Sequence, residues 1–303
     1  MSRLERQSFL GKNSDEVLAA TTVGVVGLGG GGSHIVQQLA HLGIGRFLLV
    51  DPDVIDLKNT NRLVGSTLAD VAAGRPKVEI AERVVRGVQP DADVRSFRRE
   101  WQFVLNELKS CDVIVAAVDS FNVRDQLEHF ARRYLIPYVD IGMGVLKRGE
   151  GNYLVSGQVI LSSPGRPCLR CCNLINDERL AREAEEYGAA GGRPQVVWPN
   201  GVLASTAVGV VVELLTPWHG GCNSFVYLEY DGNRKTVSVS NCVAELTSRK
   251  CLHYLDDETG DPAFDVRLPS KTEMGGEQAS EESKMAARKS VWRRLVARLY
   301  VWR

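Results

Sequence analysis

The 303-residue chain has no excess of charge of either sign, since 37 basic and 37 acidic side chains balance. That balance removes the global field expected of a protein whose partner is nucleic acid. No apolar run reaches the roughly 20 residues a membrane span requires. The longest, GVLASTAVGVVVELL from Gly201, carries Glu213 and reads as a buried helix, which argues against a membrane partner. The opening MSRLERQSFLGKN lacks an apolar core and a small-residue cleavage site, so no secretory signal is expected there. Internal repeats are missing too. Seven cysteines with no export signal point to a reducing, cytoplasmic setting, where Cys pairs bind metal more readily than they form disulfides.

What is present is a regular alternation. The short apolar runs TVGVVG, FLLVD, CDVIVAAVD and IPYVDIG read as buried strands. Between them SHIVQQLAHL, KVEIAERVV and VRDQLEHFARRY have helical periodicity, with apolar residues on one face. This order predicts a Rossmann-like, doubly wound α/β fold with a mostly parallel sheet and helices on both faces. The later strands GQVILSS, FVYLEY and KTVSVS extend that sheet as antiparallel members. A nucleotide-binding half is expected over about 1–150. A second half, about 151–267, carries a Pro/Gly/Cys loop, the charged helix NDERLAREAEEYG and the apolar helix. From 268 to 303 the pattern becomes a polar linker followed by SVWRRLVARLYVWR, a basic amphipathic segment.

Gly27-x-Gly29-x-x-Gly32 follows a predicted strand and opens a predicted helix, with Gly30 and Gly31 between. Glycines there let the backbone approach a phosphate, and the first helical N–H groups face it. Asp51, at the tip of the second strand, suits a ribose hydroxyl. The loop alone specifies a nucleotide without separating a dinucleotide from ATP. Asn59 and Arg62 in DPDVIDLKNTNRL, and Lys77 in AGRPKVEIA, add point charges and donors of the kind a triphosphate needs. Asp119, after the strand VIVAAVD, is placed to hold Mg²⁺ beside phosphates or to cap the next helix. A nicotinamide dehydrogenase would leave Arg62, Lys77 and the cysteine pair without a role.

Five segments in order resemble those of the E1-like activating enzymes, the group that contains ThiF, MoeB and HesA and the ubiquitin-activating adenylation domains. RLERQSFL is similar to R-Y-x-R-Q-x-x-L, GLGGGGS to G-x-G-G-x-G-S, and DPDVIDLKNTNR to D-x-D-x-V-x-x-S-N-L-x-R. GRPKVEIA resembles the lysine-bearing helix start and DSFNVR the D-N-x-x-x-R segment, the whole running from about Arg3 to His253. Thr60 and Leu63 depart from the family's Leu and Gln, and two extra residues precede Lys77. The resemblance implies an E1-like adenylation fold over 1–267 that binds ATP and Mg²⁺. Gly27, Gly29, Gly30, Gly32 and Asp51 would hold the nucleotide, with Asn59, Arg62 and Lys77 on its phosphates and Asp119 on the metal. Arg6 would reach into a neighbouring protomer's site, implying a homodimer. The implied reaction is adenylation of the C-terminal glycine carboxylate of a ubiquitin-like or sulfur-carrier protein, which then passes to a thiol. A small carboxylate, peptide or tRNA base as substrate, and a non-catalytic scaffold, remain as alternatives.

Cys168 and Cys171, in PCLRC, have the spacing of half a zinc site. The family often completes that site with a second C-x-x-C, which this sequence lacks. Zn²⁺ is therefore expected on Cys168, Cys171, Cys251 and either His253 or Cys242. No cysteine lies between Asn173 and Gly221, where relatives carry a thioester-forming residue; Cys172 and Cys222 are the nearest candidates. Trp198 and Asn200 fall in the stretch expected near the carboxylate channel. The basic tail is expected to dock a partner such as an E2-like protein, to pack on the domain or to meet a membrane surface. The missing second C-x-x-C, the charged helix and the tail favour conjugation over sulfur transfer.

Overall fold

All five residues of the strand Thr22–Val26 (β1) are buried, because the strand is covered on both faces. The computed structural model describes residues 3–185, 194–220, 225–254 and 260. A 3-10 segment, Glu5–Leu10, and α1 (Ser14–Ala20) precede β1. Then follow α2 (Gly30–Leu42), β2 (Arg46–Val50), α3 (Leu68–Ala72), α4 (Lys77–Val88) and β3 (Asp93–Phe97). Next are α5 (Leu105–Leu108), β4 (Val113–Ala116), α6 (Phe121–Arg133), β5 (Tyr138–Lys147) and β6 (Tyr153–Ser162). The last elements are α7 (Asp177–Glu185), α8 (Val197–Leu215), β7 (Val226–Asp231), β8 (Thr236–Val239) and α9 (Val243–Thr247).

The strands form one eight-stranded sheet in the order β3-β2-β1-β4-β5-β6-β7-β8. Pairing is parallel from β3 through β5 and antiparallel from β5 through β8. The expected α/β sheet with later antiparallel strands is thus present. Strand order reverses between β1 and β4, and α/β sheets open a crevice at the carboxyl ends of such a pair. One apolar cluster gathers side chains of α2, α4 and α8, and a second gathers those of α6 and the 168–175 loop.

Local sequence explains the helix at the crevice. Gly29 is the N-cap of α2, and Gly43 ends the helix at φ 92. Ile44 N–H then closes back onto Leu39 O at 3.1 Å, leaving Ile44 buried. That is the left-handed glycine stop that satisfies orphan carbonyls. Two glycines of the loop are required by close approach. Gly27 has φ 86, and a Cβ there would lie 2.6 Å from Ala117 O; one on Gly32 would lie 1.9 Å from Gly27 O.

Several elements differ from the sequence pattern, among them the short helices α3, α5 and α9, which it does not announce. Strand β3 and helix α1 were not anticipated. DVRSF sits at the sheet edge with no fully buried residue, so its apolar signal is weak; α1 is a seven-residue helix with only two buried residues. Helix α8 begins at Val197, upstream of the apolar run, because Pro199 lies in its first turn, where a missing N–H breaks no hydrogen bond. This 19-residue helix is apolar enough to cross a bilayer, yet it packs against α2, β5 and β6. Residues 186–193, Cys222, and the linker and tail expected over 268–303 lie outside the described residues.

Gly32→Ala is expected to cost about 3 kcal/mol, since its methyl collides with backbone that cannot move aside. Gly29→Ala, whose Cβ would meet nothing within 4 Å, should cost well under half as much. Denaturant unfolding of the two variants checks the order.

Candidate functional site

A cavity of about 270 Å³ opens at the reversal point. Its walls include Gly27, Gly29, Gly30 and Gly31 after β1, Asp51 and Asp53 after β2, and Val118, Asp119 and Ser120 after β4. Asn59, Arg62, Lys77, Arg124 and Asn200 add to its polar side, together with Arg99, Glu100 and Gln195. The glycine loop is covered closely from above. A Cβ on Gly30 would lie 2.6 Å from Asn200 Nδ2 and 3.3 Å from Arg62 Cδ.

The acidic and basic groups of this cavity are held by one another and by the backbone. Leu28 N–H donates to Asp51 Oδ2 at 2.7 Å, and Asp53 N–H to Asp51 Oδ1 at 2.9 Å. Burial pushes the Asp51 carboxyl above its ordinary range, opposed by the Lys77 charge and by these two bonds. Pro76 starts α4 and puts Lys77 at its first position, buried, with Nζ 2.6 Å from Asp53 Oδ2 and 3.7 Å from Asp51 Oδ1. Lys77 is therefore a fixed positive charge at the floor of the cavity. Asn59 closes a capping box by accepting from Asp56 N–H at 2.9 Å. Arg62 donates to Lys58 O at 2.7 Å and to Asn61 Oδ1 at 2.9 Å, which turns its stem across Gly30.

Asp119 is exposed and lies three residues beyond the end of β4. It accepts from Gln195 Nε2 at 2.9 Å. The cap of α6 is Ser120, whose hydroxyl accepts from Val123 N–H at 3.2 Å, so the capping role weighed for Asp119 falls to its neighbour. The Glu183 carboxylate on α7 also covers this helix start, accepting from Phe121 N–H at 3.0 Å and Asn122 N–H at 2.9 Å. Asp119 thus keeps a carboxylate free of the helix at the rim of the cavity. Arg124, one turn into α6, is buried; it donates to Val118 O at 2.9 Å and stands 3.5 Å from Asp140. Burial raises the Asp140 carboxyl, and the Arg124 charge opposes that rise.

A second cluster lies away from the cavity. Cys168, Cys171, Cys251 and His253 each bring one ligand atom to within 4.8 Å of the others. The two Sγ atoms of the C-x-x-C are 3.6 Å apart, and His253 Nδ1 is 3.4 Å from each. Those separations match the edges of a tetrahedron around an ion about 2.3 Å from sulfur and about 2.0 Å from nitrogen. Cys171 N–H points at Cys168 Sγ at 3.3 Å, the bond that steadies a thiolate ligand. Of the two residues considered for the fourth position, His253 is in the cluster. Cys242 stands elsewhere, 3.1 Å from Ser240 Oγ.

The structure thus gathers Gly27, Gly29, Gly30, Asp51, Asn59, Arg62, Lys77 and Asp119 around one cavity, with Gly32 packed beneath the loop. Arg6 is exposed on the 3-10 segment and is not among the residues lining its own chain's cavity. Asn200 lines the cavity, whereas Trp198 is exposed outside it. Cys172 is buried among the apolar side chains of the second core, and that burial raises its thiol well above the ordinary value. Sequence reading did not single out Asp53, Arg124 or Gln195. The first two lie inside the DPD and DSFNVR segments already noted, while Gln195 meets Asp119 only through the tertiary fold.

The fold is an α/β architecture of the E1-like adenylation type, with a polar cavity at the reversal of strand order. The chain belongs to the ThiF family, whose model matches residues 1–253. Among curated relatives, the SAMP-activating enzyme E1 of Haloferax volcanii is 36% identical over 156 residues, 51% of this chain and 54% of that one. The ubiquitin-like modifier-activating enzyme 5 of Rattus norvegicus is 28% identical over 252 residues, 76% of this chain and 58% of the relative. The matches thus span little more than half the length of these two. The sulfur carrier protein adenylyltransferase of Thermus thermophilus is 28% identical over 264 residues, covering 84% of this chain and 95% of that one. Two solved structures share the fold. E. coli MccB with ATP has a TM-score of 0.64 at 20% identity over 88% of this chain and 74% of its own. MccB in complex with N-formylated MccA has a TM-score of 0.66 at 20% identity, covering 79% and 72%.

The burial of Cys172 yields a test. In the native protein it should react with a thiol reagent about tenfold or more slowly than in the unfolded chain. Mass spectrometry of a labelling time course measures that ratio, and rapid native labelling would show that the thiol is reachable.

Proposed function

We propose that this protein adenylates the C-terminal glycine carboxylate of a ubiquitin-like or sulfur-carrier protein at the expense of ATP. The observation that carries the reading is the convergence of Lys77, Arg62, Asn59 and Asp119 on the glycine loop at the mouth of β1 and β4. Names borne by relatives, an activating enzyme and a carrier-protein adenylyltransferase, support it.

In this reading the loop amides and Gly29 face the phosphates, Asp51 accepts from the ribose, and Lys77, Arg62 and Asn59 hold the phosphate oxygens. A carboxylate oxygen of the partner attacks the α-phosphorus. The new P–O bond forms as the bond to the bridging oxygen breaks, and pyrophosphate leaves with that electron pair. An acyl-adenylate remains, and a thiol later takes the acyl group and releases AMP. Such chemistry needs alignment and charge stabilisation, with no nucleophile from the chain. Lys77 fits the stabilising role because it is already charged, buried and anchored, so little reorganisation is required. Asp119 would hold the Mg²⁺ that accompanies ATP, since its carboxylate stands at the cavity rim with Gln195 as its one hydrogen-bond partner among the described residues. The ion supplies neutralisation of phosphate charge.

Cys168, Cys171, Cys251 and His253 fit structural Zn²⁺ in donor type and spacing. Held there, zinc would tie the C-x-x-C loop to a segment some 80 residues later. Arg6 is proposed to act in the site of a second copy, which its exposure outside its own cavity permits. A cytoplasmic location and docking of an E2-like protein by residues 268–303 complete the proposal.

ATP–pyrophosphate exchange is expected only when a Gly-ending carrier is supplied. Lys77→Ala and Asp119→Ala should each lower it by about 10²–10³-fold. Exchange with a short peptide or a small carboxylate in place of the carrier would shift the substrate class, and none with any carboxylate would overturn the reading. Arg6→Ala and Lys77→Ala, each inactive alone, should regain about a quarter of the exchange when mixed at equal amounts. Purified protein should contain about one zinc per chain, and chelation should lower its melting temperature.

A further inference from the structure

Helix α6 carries a buried ion pair that the nucleotide site does not use. Glu128 is fully buried, and Arg132, one turn later, is 2% exposed, with Nε 3.5 Å from Glu128 Oε1. Burying such a pair inside a domain is costly unless every remaining donor and acceptor finds a partner. Both groups find several partners here, and those partners belong to the two chain segments that carry the Cys/His cluster.

From the first segment, Leu169 N–H, adjacent to Cys168, donates to Glu128 Oε1 at 3.0 Å and Oε2 at 3.2 Å. Ser162 Oγ also donates to Glu128 Oε1. Arg132 Nη2 donates to Arg166 O and Pro167 O, each at 2.9 Å, fixing the chain that leads into Cys168. From the second segment, Tyr254, adjacent to His253, donates its hydroxyl to Glu128 Oε2 at 3.2 Å. The Tyr254 ring lies under the Arg132 guanidinium at 4.8 Å and beside His129 at 5.4 Å. One carboxylate therefore grips both halves of the cluster, one residue from Cys168 and one residue from His253.

We propose that Glu128 is a positioning residue for the metal centre, setting the C-x-x-C loop and the 251–253 segment at ligand distance before the ion arrives. The inference rests on the metal reading given above. Two segments far apart in sequence must be brought together and held, and ordering them in advance removes that cost from metal binding. Among the described residues Glu128 makes no hydrogen bond to a ligand side chain; it acts through Leu169 and Tyr254. Outer partners of this kind typically contribute about 10–100-fold to metal affinity.

The test is zinc affinity by competition with a chromophoric chelator, on the full chain, together with melting temperatures in excess zinc and in excess chelator. Glu128→Gln should weaken zinc by about 10–100-fold, and the gap between its two melting temperatures should shrink relative to wild type. Tyr254→Phe, which keeps the ring under Arg132 and loses one hydrogen bond, should weaken zinc by a smaller factor while the protein stays folded. The inference is overturned if either variant melts lower by the same amount with and without zinc at unchanged affinity, which is a purely structural role. Wild-type protein that binds no zinc would overturn the metal reading itself, a result distinct from a wild type that binds and variants that bind equally well.

Discussion

The close approach of backbone to backbone at the reversal of strand order is the constraint on which the rest of the structure depends. Gly27 turns out of β1 against the Ala117 carbonyl after β4, and Gly32 lies on the Gly27 carbonyl. Neither contact admits a side chain. Because both hold, the first turn of α2 is pulled down onto the sheet with its N–H groups facing the crevice. The carboxyl ends of β2 and β4 then set Asp51 and Asp119 on either side. A looser turn would move the helix start away from both.

Around that frame the charges are arranged in advance of any ligand. Lys77 is held by Asp53 and Asp51, and Arg62 by Lys58 O and Asn61. Buried or tethered cations of this sort need little rearrangement when an anion arrives, which is where electrostatic stabilisation gains most. Helix α6 links this cavity to the Cys/His cluster. Its N-cap Ser120 and its residue Arg124 line the cavity, while Glu128 and Arg132 reach the segments of the cluster at the other end. One thirteen-residue helix therefore registers two sites that share no residue.

Much of this was legible in the residues. The strand-glycine-helix pattern marked the loop, and the spacing of Asp51, just after β2, to Asn59 and Arg62, in the short turns that follow, marked its partners. The C-x-x-C announced a ligand pair through its spacing. Less was legible where the signal is weak or non-local. DVRSF has too few apolar residues to announce an edge strand, and the start of α8 hides behind Pro199. By sequence His253 was the expected fourth ligand with Cys242 as its alternative, and the fold places two thiols beside His253 and Ser240 beside Cys242.

The residues alone announced most of the strand–helix alternation, the glycine loop and the charged groups near it, since these depend on local periodicity, turn chemistry and short spacings. Only the tertiary structure decided that Asn200 covers Gly30, that Gln195 meets Asp119, that Ser120 caps α6, and that Glu128 fastens both halves of the cysteine cluster. Each of those contacts joins residues whose partner choice depends on how helices pack over the sheet or on cap geometry at its edge. Burial then favours a partner for each polar group brought inside, and those partners come from packing in three dimensions, beyond the reach of any local pattern.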